Sequence, residues 1–320
     1  MATRSPAIGM CFDRTFPAGA GTEFARRLEA DGADELWIIE DCFYTAGVSL
    51  AAAALTTTER LTVGLGILPA VARNPAVTAM EIATLAGLAP GRLLAGIGHG
   101  VQDWMEQMGA RTPSPVTTLA EVIGAVKRLL AGERVTTYGH HVRLTDVQLD
   151  QPPPQTPPVL AGVRGPRSLA MAGRVADGLV LAEGTGPIAL RAALAQAAAH
   201  GAFRVAVFAP LCIAGDRGTA HGIMAPMLAV LLDQGVPGLA TLPFHEEMRA
   251  RWAADGVAGL ASMPDEWWAE IGPIGTLDDA AAHIAALAAA GADSVALFPA
   301  PDLGMARRQL DDVAALVRNG

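Results

Sequence analysis

An α/β fold closed into a (β/α)8 TIM barrel with insertions is the architecture this sequence predicts, on three observations. Eight short apolar runs alternate with helix-length, Ala-rich stretches, three helix-to-strand junctions share an Ala-Asp ending, and 320 residues suffice for one large barrel. The runs fall at 8–12, 35–40, 61–67, 93–98, 158–163, 178–183, 204–213 and 294–299. Near-continuous apolar character bounded by turn residues is what a parallel strand buried on both faces requires. Eight such strands match one closed barrel, so a single domain over 1–320 is expected.

The junctions are Gly32-Ala33-Asp34, Val175-Ala176-Asp177 and Gly291-Ala292-Asp293. Glycine permits the left-handed turn that stops a helix, and Asp suits the exposed entrance of the following strand. Helix starts are predicted at Thr118 and Thr276, each followed three residues later by an acid (Glu121 and Asp279) in capping-box spacing. Two insertions are expected. Near 133–146, Tyr138-Gly139-His140-His141 interrupts an alternating pattern and reads as a β-hairpin. Near 216–275 two or more helices are expected, broken at Pro237, Pro243, Pro264 and Pro273, and such an excursion usually covers an active site or a subunit interface. The Pro152-Pro153-Pro154 tract reads as a stiff approach to the fifth strand.

Composition excludes several classes of function. With 51% hydrophobic and 17% charged residues the chain predicts a well-packed core, much of it Ala on buried helix faces. A net charge of −9 without any Lys/Arg block opposes binding to a phosphate backbone, so no nucleic-acid partner is expected. No apolar run approaches membrane-spanning length, and the segment from Met1 to Pro6 has no apolar leader, which predicts a cytoplasmic protein without a membrane partner. Cys11, Cys42 and Cys212 lie far apart without metal-ligand spacing, so buried thiols are expected. His140 and His141 would point to opposite faces of the hairpin, poor geometry for shared metal binding, and no metal site is predicted. Trp252, Trp267 and Trp268 in the late insertion read as amphipathic packing.

In a parallel barrel, residues just past each strand converge on one rim, which here gathers Asp13, Glu40, Asp41, Gly66, Ile67, His99, Arg164, Gly165 and Glu183. The strongest local feature runs from Gly162 through Val163, Arg164, Gly165 and Pro166 into a helix. Glycines let backbone N–H groups approach an anion, the helix N-terminus favours negative charge, and Arg164 or Arg167 can add a charged contact. The same residues also suit an ordinary strand-to-helix turn. Gly96-Ile97-Gly98-His99-Gly100 lacks the final spacing and later acid of a dinucleotide fingerprint. His99 is a candidate proton donor or ring partner, or else a structural rim histidine. Glu40 and Asp41 are adjacent and diverge, so at most one is expected to face the pocket as a general acid.

Taken in order, several blocks resemble the luciferase-like flavin/deazaflavin oxidoreductases, particularly the coenzyme F420-dependent methylenetetrahydromethanopterin reductase-like branch. They include residues 36–41, 63–67, Arg73-Asn74-Pro75-Ala76, 81–85, 96–100, 162–170 and 173–178. The resemblance implies a homodimeric barrel with a tricyclic ring across the strand ends, coenzyme F420 or alternatively FMN. It also implies a cis peptide at Gly66-Ile67 beneath the ring, with Gly98 beside it. The cofactor phosphate would lie on Gly162, Val163, Arg164, Gly165 and Pro166. The chain departs from better-known branches at Glu40-Asp41-Cys42, where a histidine commonly follows the acid, and at Val101, which cannot act as an acid; His99 is the substitute on offer. The expected activity is deazaflavin-dependent hydride transfer to or from a small organic substrate, with Glu40, Asp41 and His99 as candidates for proton chemistry. The alternatives are an FMN-dependent monooxygenase and a cofactor-binding protein without turnover.

Overall fold

In the computed structural model, which describes residues 5–319, eight parallel strands close into a barrel. Residues 1–4, part of the segment read above for a leader, and residue 320 lie outside the described residues. The strands in chain order are β1 (Ala7–Phe12), β2 (Glu35–Ile38), β3 (Thr62–Pro69), β4 (Leu93–Gly98), β5 (Val135–Tyr138), β6 (Arg143–Val147), β7 (Val159–Gly162), β8 (Gly178–Leu181), β9 (Arg204–Pro210), β10 (Cys212–Ile213), β11 (Ile274–Gly275) and β12 (Ser294–Phe298). The barrel order is β1-β12-β9-β8-β7-β4-β3-β2, leaving β5–β6 as an antiparallel hairpin and β10–β11 as a separate parallel pair. The helices that position the site are α1 (Gly21–Ala30), α2 (Gly47–Thr57), α3 (Pro75–Leu88), α4 (Gln102–Gln107), α5 (Pro115–Leu130), α6 (Pro166–Val175) and α7 (Pro187–Ala197). They are followed by α8 (Arg217–Asp233), α9 (His245–Ala261), α10 (Asp265–Trp268), α11 (Leu277–Ala290) and α12 (Leu303–Asn319).

The repeated junction aspartates have a specific function. Asp34 accepts the Ile8 amide, Asp177 the Val159 amide and Asp293 the Val205 amide, each at 2.8–2.9 Å. Each of them thus satisfies an N–H at the start of the adjacent barrel strand, a donor that would otherwise be unpaired. Gly32 and Gly291 adopt the left-handed conformation expected after a helix, at φ of 87° and 114°.

The barrel interior is filled by residues alternating along the strands. Glu35 lies at the N-terminal end, paired with Arg204 at 2.5 Å and accepting from Trp37 Nε1 at 2.7 Å. Above it Trp37 meets Phe208 edge-on, with ring centroids 5.2 Å apart. A Cβ at Gly64 would stand 2.3 Å from the Trp37 ring, so that glycine makes room for the indole. A larger core joins the outer strand faces to the helices, and a third cluster forms among α8, α9 and α10. Trp268 is fully buried there and stacks on His221, while Trp267 stacks on Phe244, so these aromatics are packing residues.

Three local expectations are corrected. Thr118 does not start a helix: α5 begins at Pro115, whose missing N–H suits the first helical position, and the buried Thr118 hydroxyl donates to the Ser114 carbonyl. Glu121 instead accepts the amides of His140, His141 and Val142 at 2.8 Å, capping the hairpin tip. The run 204–213 is two strands, because Pro210 has no N–H to continue the ladder and Cys212–Ile213 turns to pair with Ile274–Gly275. Cys11 and Cys212 are buried, but Cys42 is only half-buried on the rim loop. The capping box at Thr276 and Asp279 forms as expected, and no helix among the described residues is long and apolar enough to cross a membrane.

Candidate functional site at the barrel mouth

The floor of the mouth is set by Ile67. The Gly66–Ile67 peptide is cis, and the β3–β4 register shifts between Leu65 and Leu68 at that point. Its side chain projects across two neighbouring strands: a Cβ at Gly162 would lie 2.6 Å from Ile67 Cγ2, and one at Gly98 would lie 2.0 Å from Ile67 Cδ1. Gly98 and Gly162 therefore form the bed on which Ile67 rests, and the half-buried isoleucine presents an apolar surface to the mouth. Phe208 and Phe298 belong to the same inner cluster.

On one side stands the turn from Gly162 to Pro166. Gly165 has φ of 79° with open space where a Cβ would be, and it precedes α6 without any side-chain cap. Pro166 has no N–H and the Leu169 amide bonds the Gly165 carbonyl, so the Arg167 and Ser168 amides are left for an external acceptor. Val163, Arg164, Gly165 and Pro166 line a cavity of about 160 Å3, closed on the far side by α7 and by Val236, Pro237 and Gly238 of the late insertion. Arg164 is exposed. This arrangement fits an anionic group of a cofactor.

The three residues expected to handle protons are all at the rim, but each is engaged. Glu40 is buried and takes Arg73 through both oxygens, at 2.5 and 3.0 Å, while also accepting the Gly47 amide at 2.8 Å. Arg73 is further held by Glu81 at 3.1 Å. Asp41 pairs with Arg14, whose guanidinium lies over the rings of Tyr44 and Trp104 at 5.1 and 5.7 Å. The two carboxylates diverge as the adjacency predicted. His99 Nε2 meets Ser168 Oγ at 3.0 Å, which ties the end of β4 to the first turn of α6, while Nδ1 is buried without a hydrogen bond. Burial pushes the His99 imidazole below its ordinary value.

Sequence reasoning missed Arg14, Tyr44, Trp104 and Ser168 as parts of this mouth. Nothing local marks them: Arg14 reaches Asp41 across 27 positions, and Ser168 reaches His99 across 69. His140 and His141 lie at the hairpin tip against Glu121, and no cluster of three metal-ligating side chains occurs among the described residues.

With this geometry in place, the comparisons with known proteins are consistent in kind. Residues 5–294 match the family described as luciferase-like monooxygenase. A 5,10-methylenetetrahydromethanopterin reductase of Methanolobus tindarius is 30% identical over 54% of this chain and 53% of its own length. An F420-dependent glucose-6-phosphate dehydrogenase of Kineococcus radiotolerans is 31% identical over 53% of this chain and 54% of its own. The chain thus spans about half the length of the curated relatives it matches. The coenzyme F420-dependent tetrahydromethanopterin reductase structure from Methanopyrus kandleri superposes with a TM-score of 0.79 at 18% identity, over 98% of both chains, a likeness of fold.

Proposed function

The chain belongs to the luciferase-like monooxygenase family, and from that premise we propose that it is an oxidoreductase transferring hydride between coenzyme F420 and a small organic substrate. The observation that carries this reading is the uncapped α6 N-terminus behind Gly165, opening on a cavity lined by Val163, Arg164, Gly165 and Pro166. Gly162, Val163, Arg164, Gly165 and Pro166 would hold the cofactor phosphate, and Gly66, Ile67 and Gly98 would support the ring. The bound deazaflavin supplies a two-electron hydride donor or acceptor. The chain's own residues supply orientation and exclusion of water: Glu40 anchors Arg73, Asp41 anchors Arg14, and His99 fixes the Ser168 hydroxyl at the phosphate turn. Tyr44 and Trp104, flanking Arg14, form the outer wall where a substrate enters.

The relatives named for F420 dependence support this cofactor. Anaerobic titration with coenzyme F420 and with FMN tests it, expecting saturable quenching of deazaflavin fluorescence. Tight FMN binding with none of the deazaflavin would overturn it in favour of flavin-dependent monooxygenation. We also propose a cytoplasmic homodimer. The support is an apolar stripe on α3, where Val77, Met80 and Leu88 are 42%, 53% and 51% exposed at helical spacing. Sedimentation equilibrium showing a monomer at micromolar concentration would remove it.

A further inference from the structure

Among the acids of the mouth, Glu183 is differently placed. It follows β8 by two residues, immediately before Gly184 at φ of 82°. Glu40 has its oxygens taken by Arg73 and the Gly47 amide, Asp41 holds Arg14, and Asp13 accepts the amide and hydroxyl of Thr15 at 2.8 and 2.5 Å. Glu183 holds no such partner from another residue among the described residues and is backed only by its own backbone N–H. Its one charged contact is Arg164 Nη2 at 3.6 Å, beyond hydrogen-bond reach, although only 24% of its side chain is exposed.

Its surroundings disfavour the ionised form. Burial raises its pKa first, and the Asp41 and Asp13 carboxylates push the same way, against its own backbone N–H and then Arg164. Burial, and after it the Glu183 charge, raises the thiol of Cys11, a residue of the barrel's inner cluster. The cations of the mouth are committed: Arg14 to Asp41, Arg73 to Glu40 and Glu81. Arg164 stands on the proposed phosphate cradle. Arg167 is exposed on the same first turn of α6 as the cradle, and the walls beneath the mouth are apolar, so the mouth fits a neutral molecule with a hydrogen-bond acceptor.

We propose that Glu183 is the acid that protonates the oxygen of a neutral carbonyl substrate during hydride transfer, an assignment that rests on the functional reading above. The carbonyl carbon receives hydride from the reduced deazaflavin, the C=O π pair moves onto oxygen, and the Glu183 carboxyl supplies the proton there. The substrate becomes an alcohol, having gained two electrons that the cofactor lost. Glu183, left as a carboxylate, is reprotonated through solvent by the proton the cofactor releases on oxidation. Unlike Glu40 and Asp41, Glu183 can lose and regain a proton without breaking an ion pair that holds the rim together.

The test has three readouts on wild type, Glu183→Gln and Glu183→Asp. Infrared difference spectra between wild type and Glu183→Gln without cofactor report the carboxyl C=O stretch. The band is expected to persist to higher pH than that of an ordinary exposed glutamate. Fluorescence titration of coenzyme F420 is expected to give the same Kd within about twofold for all three proteins. Single-turnover oxidation of reduced F420 by a panel of short ketones and aldehydes is expected to slow by about 10²–10⁴-fold in Glu183→Gln. Glu183→Asp, which keeps the acid but retracts it by one methylene, should fall between. Loss of cofactor binding in wild type would overturn the functional reading itself. Intact binding with no carbonyl reduced by wild type would overturn the substrate class. Absence of the infrared band, or wild-type turnover in Glu183→Gln, would overturn the assignment of Glu183.

Discussion

Gly162→Ala tests whether the mouth is built on Ile67. Backbone φ at Gly162 lies outside the left-handed region, so an added methyl acts by contact alone. Its three nearest neighbours all belong to Ile67: Cγ2 at 2.6 Å, Cδ1 at 3.0 Å and Cβ at 3.4 Å. Restoring ordinary contact requires Ile67 to shift by about 0.8 Å at Cγ2, from 2.6 to 3.4 Å. Overpacking of this kind costs about 1–3 kcal/mol. Ile67→Ala alone removes a half-buried side chain and costs about 1–3 kcal/mol, below the usual range for a fully buried isoleucine. In the double variant the clash disappears. Its loss of stability should be smaller than the two single losses together by at least about 1 kcal/mol, well outside the ~0.5 kcal/mol scatter of independent sites. Thermal unfolding reads this at about 2 °C per kcal/mol for a large domain. Cofactor titration should weaken in both single variants, because one moves the bed and the other removes it. Strict additivity in the double variant would refute the claim that these glycines exist to seat Ile67.

Glu40→Gln keeps the bond to the Gly47 amide but loses the ion pair with Arg73, and should cost about 1–3 kcal/mol, since both partners are largely buried. A loss of turnover at unchanged melting temperature would instead mark Glu40 as a proton donor. Glu121→Ala should leave three hairpin amides without their acceptor, costing about 1 kcal/mol and accelerating hydrogen exchange at His140, His141 and Val142. Unchanged exchange there would show that the tip holds itself. His283 is buried, and burial lowers its imidazole to about 4 from 6.5, against the Ala269 carbonyl. The unfolded chain therefore takes up a proton that the folded chain refuses. Stability is complete above pH 6.5 and is lost as pH falls from 6.5 to 4, by about 3 kcal/mol in total. His283→Leu should flatten that limb of the melting-temperature profile, and an unchanged slope would place the acid sensitivity elsewhere.

The barrel was legible because its signals are local. Apolar runs, left-handed glycines and junction aspartates are each read within a few residues, and all eight barrel strands lie where the runs predict them. The helix start at Thr118 was misread because two signals compete four residues apart: Ser114-Pro115 set the boundary, and Glu121 had a partner in the hairpin. The mouth was legible in its glycines and in the list of rim acids, but not in how the acids divide. Whether Glu40 or Glu183 is engaged depends on where Arg73 and Arg164 reach, and those distances are set by tertiary packing across strands. Likewise the contact of the Ile67 side chain with both Gly98 and Gly162 is made across three strands and leaves no local mark in the sequence.

The aspartates Asp34, Asp177 and Asp293 act at the closed end of the barrel, opposite the mouth. Each ties two adjacent barrel strands together with a bond that involves no residue of the upper loops. The alignment of the staves is therefore locked from below, and loops above can lengthen, shorten or change chemistry without letting the staves slip. A scaffold anchored in this way can be given a new substrate by rewriting its upper loops alone.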